Sequence, residues 1–276
     1  LRIFISQNFY SRIKNTKKGR EKLQLEGKTI IVTGGSGRIG SAIVKALLER
    51  GAKVTIADVK YPKFVDELSH PERQSVTFFE GDVTQVEIAD KAIIHTKEKF
   101  GYLNGAVHSA YPRSSAWGTR FENLQQEYLS YDLNAQLGGS IMFAQRIIKT
   151  FRESKTEASL VLVSSIQGLS APKFRHYEGT SMTSPIEYSA IKAGVNAIAR
   201  YLAKYLVGEN IRVNTVSPGG IRDEQPEQFL RRYREECVNK GMLDADDIVG
   251  AICFLLSDDA KYINGQNVVV DDGWSV

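Results

Sequence analysis

From Lys28 to the C-terminal end, short unbroken apolar runs alternate with longer stretches of helical periodicity. Thr29–Thr33, Val54–Asp58, Val76–Glu80, Ala106–Ser109, Leu160–Val163, Ile211–Val216 and Val268–Val270 read as strands, being short and β-branched or apolar between turn signals. Between them, Ile39–Arg50, Tyr61–Ser69, Ile88–Phe100, Leu124–Phe151, Tyr188–Val207, Glu227–Lys240 and Ala245–Ser257 read as helices, with Gly51 and Gly101 as C-terminal stops. Strands without polar alternation need cover on both faces, which implies a parallel sheet between two helical layers. Right-handed crossovers then leave a doubly wound α/β sheet of the Rossmann type, seven-stranded, as the expected fold. No repeat, low-complexity segment or linker interrupts it, so residues 28–276 are expected to form one domain behind an arm of residues 1–27.

Charge changes the picture only at the N-terminal end. The net charge is +4, yet residues 1–24 carry seven basic side chains against Glu21 alone, leaving the remainder slightly acidic. Leu1, Ile3, Phe4, Ile5, Phe9, Tyr10 and Ile13 intersperse those charges. Two readings stand: an arm lying on an anionic membrane surface or a partner subunit, or a partly ordered extension. The body shows no basic face for nucleic acid, and no apolar run reaches the ~18 residues of a membrane span. Cys237 and Cys253 lack metal-ligand spacing, so no metal is expected. Two thiols without a disulfide framework fit a reducing, cytoplasmic setting.

Two stretches carry candidate chemistry. The first strand runs into Thr33-Gly-Gly-Ser-Gly-Arg-Ile-Gly40 and then a helix, an arrangement that brings backbone and helix N-terminus up to a pyrophosphate. A glycine turn without ligand is the bland alternative. Asp58 ends the second strand 18 residues after Gly40, where a carboxylate can accept hydrogen bonds from a ribose diol and repel a 2′-phosphate. NAD is therefore expected over NADP, although Arg38 could hold either the pyrophosphate or a 2′-phosphate. The second stretch is Tyr188-Ser-Ala-Ile-Lys192, which sets a phenol and an ammonium on one helical face. A cation one turn away is expected to pull the phenol's pKa down from about 10 toward working pH. Such a pair also arises on many helices by chance.

Taken together, Thr33-Gly34…Gly37…Gly40, Asp82-Val83, Asn134, Ser165, Tyr188…Lys192, Pro218-Gly219 and Gly265-Gln266…Val270-Asp271 resemble the short-chain dehydrogenase/reductase family from Lys28 to Trp274. The resemblance implies an NAD(P)-dependent oxidoreductase interconverting hydroxyl and ketone, working as a homodimer or homotetramer. It implies that Ser165 holds the substrate oxygen, Tyr188 passes the proton, Lys192 lowers the tyrosine's pKa and holds the nicotinamide ribose, and Asn134 keeps a water near Lys192. The implied cofactor set is Gly34, Ser36, Gly37, Arg38, Ile39, Gly40, Asp58, Asp82, Val83, Ala110, Lys192, Pro218, Gly219 and Ile221. Three departures stand out. Arg38 replaces a glycine of the commoner phosphate turn, and Asp223 stands where a threonine is usual. The Asn-Asn-Ala-Gly ending the fourth strand appears as His108-Ser109-Ala110-Tyr111, with His108 expected to be buried on a backbone partner rather than catalytic.

Ser165 and Tyr188 are 23 residues apart, beyond the family's usual spacing. The extra segment, Leu169 to Pro185, carries Lys173, Arg175 and His176, and a second excursion after the fourth strand carries Arg113 and Trp117. Loops at the carboxyl ends of strands form the ligand crevice of such a sheet. These residues are expected either to clamp an anionic substrate over an aromatic platform or to be solvated loop decoration. Gly179–Tyr188, Ser217–Ile221, Lys240–Leu243 and Tyr262–Asn267 resemble a subgroup of the family concerned with bacterial flagellin modification and surface-sugar biosynthesis. That implies an anionic sugar or sugar phosphate as substrate. The alternatives are an NADPH-dependent ketone or acyl-carrier-type reductase, and a catalytically silent nucleotide sensor.

Overall fold

The computed structural model describes residues 25–276. The basic arm expected at the N-terminal end lies outside the described residues up to residue 24. Leu25 is fully buried and its N–H donates to the Arg50 carbonyl at 2.7 Å. The folded body therefore takes in Leu25, ahead of the Lys28 boundary that the periodicity suggests.

Seven strands form one sheet: β1 (Thr29–Thr33), β2 (Lys53–Asp58), β3 (Val76–Glu80), β4 (Gly105–His108), β5 (Ala158–Val163), β6 (Ile211–Pro218) and β7 (Asn267–Val270). Their order is β3-β2-β1-β4-β5-β6-β7 and every pairing is parallel. The chain winds outward in one direction as far as β3 and then restarts beside β1 with β4. That reversal leaves a crevice at the carboxyl ends of β1 and β4.

The helices are α1 (Arg38–Leu48), α2 (His70–Gln74), α3 (Val86–Phe100), α4 (Gln126–Asp132), α5 (Gly139–Ser154), α6 (Ile186–Tyr205), α7 (Glu227–Arg234) and α8 (Val249–Leu256). On one face of the sheet, α1 and α8 bury Ile43, Leu47, Ile252 and Leu255 against Ile30, Ile56 and Val161. On the other, α3, α5 and α6 bury Ile93, Phe143, Ile147 and Ile191 against Ile31, Leu160 and Val213. At about 25 cal/mol per Å² of apolar surface, these two layers are the main force holding the fold. A small third cluster of Ile166, Phe229, Tyr233, Met242 and Trp274 is separate from both layers.

Three of the expected helices differ from the periodicity. Tyr61–Ser69 is only a 3-10 turn over Lys63–Glu67, because Ser69 with Glu72 caps the start of a new helix, α2. The helical stretch from Leu124 to Phe151 is broken by a π-helical turn, Leu133–Gly138, placed directly after Asp132. The buried Asp132 carboxylate accepts the Ser114 N–H and hydroxyl, each at 2.7 Å, tying this point to the loop after β4. The stretch Glu227–Lys240 stays helical only to Arg234. The Asp272 carboxylate accepts the N–H groups of Asn239 and Gly241, at 3.0 and 2.8 Å, and so draws the chain out of the helix.

Candidate active site

One continuous cleft of about 1290 Å³ runs across the carboxyl ends of the strands. Asp58, Asp82 and the glycine turn line one end, and Ser165, Tyr188, Lys192 and Trp274 line the other.

At the first end, β1 delivers Gly34 into a turn closed by a Gly37 N–H to Gly34 carbonyl bond of 3.1 Å. A Cβ on Gly40 would sit 2.0 Å from the Gly34 carbonyl oxygen, so glycine is required for the first turn of α1 to close on the strand end. The helix has no side-chain cap, which leaves its first N–H groups for an anion. Beside this turn, the Asp58 carboxylate accepts the Ser36 N–H at 2.9 Å and the Lys60 N–H at 3.1 Å. Both oxygens are thereby oriented and retain acceptor capacity for a diol. Asp82 folds the turn after β3 by accepting the Thr84 N–H and hydroxyl, at 3.0 and 2.8 Å. Ser36, Ile39, Val83, Ala110, Pro218, Gly219 and Ile221 also line the cleft. A backbone cradle with an oriented carboxylate fits a dinucleotide. Arg38, however, is not free: its guanidinium donates to the Arg222 carbonyl and to Asp223 across the cleft.

At the second end, β5 and α6 are knitted together. The Ser164 hydroxyl donates to the Lys192 carbonyl at 2.9 Å, and the Lys192 ammonium donates to the Val163 carbonyl at 3.0 Å. A Cβ on Gly168 would fall 2.6 Å from the Lys192 carbonyl carbon, so this glycine permits the turn carrying Ser165 to lie on the α6 backbone. The Ser165 hydroxyl accepts the Gln167 N–H at 3.2 Å. Burial raises the Tyr188 phenol above its ordinary value of 10, and a hydrogen bond with Ser165 pulls the other way. Burial lowers the Lys192 ammonium to about 8. The sequence leads one to expect the cation to dominate the phenol. Instead the ammonium lies over the face of the Tyr188 ring, 5.7 Å from its centroid, and desolvation of both groups outweighs their proximity.

Asn134 sits in the π-helical turn, exposed and outside the cleft lining, so its side chain does not join the other three predicted catalytic groups. His108 is buried, stacked on Phe143 at 4.8 Å, with Nδ1 2.8 Å from the Thr33 hydroxyl. Its partner is therefore a side chain and not the expected backbone group. Desolvation first, and the Lys192 charge second, drive its pKa to about 3, so the ring stays neutral.

The segment from Leu169 to Pro185 does return beside the catalytic pair, but its cations do not form a free anion clamp. Lys173 donates to Glu236 at 2.6 Å and to the Trp274 carbonyl at 3.3 Å, and Arg175 pairs with Glu236 as well. His176 is buried among Phe229, Tyr233 and Trp274, its pKa lowered by burial and by Arg175 and Lys173. These three residues fasten the segment to the C-terminal end instead of presenting charge to a ligand. Arg113 remains in the cleft wall without an ion pair among the described residues, its guanidinium over the Tyr111 ring at 5.4 Å. Trp117 lines the same wall. The Thr183 hydroxyl donates to the Gly118 carbonyl and so joins the two loops.

Sequence reasoning missed Tyr111, Met182, Tyr233 and Trp274 as cleft residues. Only Tyr111 carried a signal, an aromatic at the strand-end position where the family pattern has glycine.

Because Glu236 neutralises two cations that hold the segment down, Glu236→Gln is expected to loosen it. Breaking such a partly buried cluster costs about 2 kcal/mol, so the thermal midpoint should fall by roughly 4 °C. Scanning calorimetry checks this, and an unchanged midpoint would show that the cluster contributes nothing.

The profile of the family described as enoyl-(acyl carrier protein) reductase matches residues 35–275. The chain is 41% identical over 256 residues to a post-translational flagellin modification protein A of Campylobacter coli, covering 91% of this chain and all of that protein. It is 28% identical to a 7alpha-hydroxysteroid dehydrogenase of Bacteroides fragilis, over 92% of this chain and 96% of that one. A crystal structure of a short-chain dehydrogenase from Leptospira borgpetersenii with bound NAD+ superimposes with a TM-score of 0.81 at 26% identity, covering 100% and 99% of the two chains.

Proposed function

Because the chain belongs to the short-chain dehydrogenase/reductase family of nicotinamide-dependent oxidoreductases, we propose that it interconverts a hydroxyl and a ketone on an anionic sugar, using NAD(H). One observation carries the reading: a single cleft is lined at one end by a dinucleotide cradle and at the other by Ser165, Tyr188 and Lys192.

In this reading the glycine turn and the N-terminus of α1 hold the pyrophosphate, Asp58 holds the adenosine ribose and Lys192 the nicotinamide ribose. Ser165 positions the substrate oxygen, and the Tyr188 hydroxyl gives or takes its proton. The bound nicotinamide supplies or accepts the hydride. With its phenol held protonated by burial, Tyr188 is ready as an acid in the reducing direction. Oxidation requires the phenolate, which burial disfavours and a charged Lys192 over the ring would favour. Arg113 with the Tyr111 and Trp117 rings suits a substrate with an anionic group and an apolar ring face, and a surface-glycan sugar is our choice, in keeping with a relative named for flagellin modification.

Turnover across a panel of sugar phosphates, nucleotide sugars, hydroxysteroids and acyl-carrier ketones tests the substrate class. Activity confined to the last two would overturn the sugar assignment. For the cofactor, Asp58 is expected to give NAD(H) at least about a tenfold preference over NADP(H), by placing a carboxylate against the 2′-phosphate. Asp58→Ala should narrow that ratio by weakening NAD(H) and admitting NADP(H). Titration of both cofactors checks this, and equal Kd values in the unaltered protein would contradict it. The alternative, an NADPH-dependent reductase, would need Arg38 free to meet a 2′-phosphate, whereas its guanidinium pairs with Asp223.

A further inference from the structure

Tyr111 stands at the end of β4, where the chain departs from the family pattern, and three aromatic rings meet there. Its ring packs edge-on against Trp117 at 5.5 Å and against Tyr188 at 5.8 Å, while Trp117 and Tyr188 lie 6.0 Å apart. Two cations address the same ring. The Lys192 ammonium lies 5.5 Å and the Arg113 guanidinium 5.4 Å from its centroid. Lys192 is the more buried of the two, and among the described residues its ammonium donates to the Val163 carbonyl. An aromatic face attracts a cation held within about 6 Å of its centroid, and more strongly where that cation is buried.

We propose that Tyr111 is a positioning residue for Lys192, its ring holding the ammonium charged and in place over the Tyr188 ring. The inference rests on the proposed roles of Tyr188 and Lys192 and adds a residue that acts through them.

The other groups around this charge do not replace the ring. His108, from β4, is neutral and donates no compensating charge. The Tyr188 ring, from the same helix as Lys192, offers a second face at 5.7 Å. Arg113, Asp132 and Glu187 act on Tyr111 itself, the first lowering and the other two raising its phenol, though burial is the main cause of the rise and Tyr188 the second. The Tyr111 hydroxyl is thus held protonated, and the ring, not a phenolate, faces the ammonium.

Removing an aromatic face while keeping the volume should lower the pH at which Lys192 loses its proton. On the scale of a desolvated cation–π contact, the shift is about one pH unit. The full chain is compared with Tyr111→Phe, Tyr111→Leu and Tyr111→Gln, each checked by circular dichroism. The rate at which acetic anhydride acylates Lys192, followed by peptide mass spectrometry against pH, reports the free amine without reference to turnover. The expected result is a midpoint lower by about one unit in the Leu and Gln variants and unmoved in Phe. The alkaline limb of the pH–rate profile should move by the same amount. An unmoved midpoint in both Leu and Gln, or a Phe variant displaced as far as they are, would overturn the proposal. A displaced labelling midpoint with a flat pH–rate profile would uphold the Tyr111–Lys192 link while contradicting the proposed catalytic role of Lys192.

Discussion

Replacing Tyr188 by Phe is expected to lower kcat about a thousandfold while leaving the Kd for NAD within a few-fold. The phenol lines the cleft beside Ser165, with which it hydrogen-bonds. Removal of one oxygen leaves the ring, its contacts with Tyr111 and Trp117, and the distant phosphate turn as they are. A loss seen in kcat without a matching loss in cofactor affinity is the mark of an interaction made during the chemical step. Single-turnover absorbance at the reduced nicotinamide band, together with calorimetric titration of NAD, separates the two quantities. If the variant keeps a tenth or more of its turnover, Tyr188 is not the proton carrier.

The second large effect is that of Lys192→Met, which should weaken catalysis and NAD affinity together yet leave the fold at least as stable. Burial lowers the Lys192 pKa to about 8, below the ordinary value of 10.5 that it regains on unfolding. The sign follows directly. Between these two values the unfolded chain binds the proton that the folded chain has released, so stability rises with pH through that window. Below pH 8 the folded protein carries a constant deficit on the order of 3 kcal/mol from keeping a charge in a buried place. Methionine has nearly the same volume and no charge, so it removes the deficit, at the cost of one hydrogen bond to the Val163 carbonyl worth about 1 kcal/mol. At pH 7 the variant's thermal midpoint should be no lower than that of the unaltered protein, and its advantage should shrink between pH 8 and 10. A midpoint well below it at pH 7 would mean that the charge stabilises the fold. Retention of a destabilising buried cation is intelligible only if function needs it.

Much of this was legible in the chain because the determinants are local. Runs such as Thr29–Thr33 and Ile211–Val216 can bury only as interior strands. The glycine turn and the Tyr188–Lys192 pair declare themselves by spacing within a single turn or helix. What escaped depends on partners distant in sequence. Lys173, Arg175 and His176 look like a cationic loop until Glu236, more than 60 residues on, neutralises the first two. The helix after Glu227 ends early because Asp272 captures its continuation, and the π-helical turn follows an aspartate fastened to Ser114. Periodicity contains neither fact. Tyr188 is the instructive middle case: the neighbour was correctly read, but the desolvation that outweighs it arises from the packed cleft and has no local sign. Periodicity also does not show that Asn134 lies in the widened turn with its side chain exposed.

All of these expectations assume that the two ends of the cleft serve one bound dinucleotide. A crystal structure of the protein with NAD+ tests this most directly. The account predicts adenosine ribose hydroxyls on the Asp58 carboxylate, the nicotinamide ribose on Lys192, and the reactive ring carbon facing the space between the Ser165 and Tyr188 hydroxyls. A nicotinamide ordered elsewhere, with Tyr188 beyond reach of any oxygen that could lie against that carbon, would contradict it.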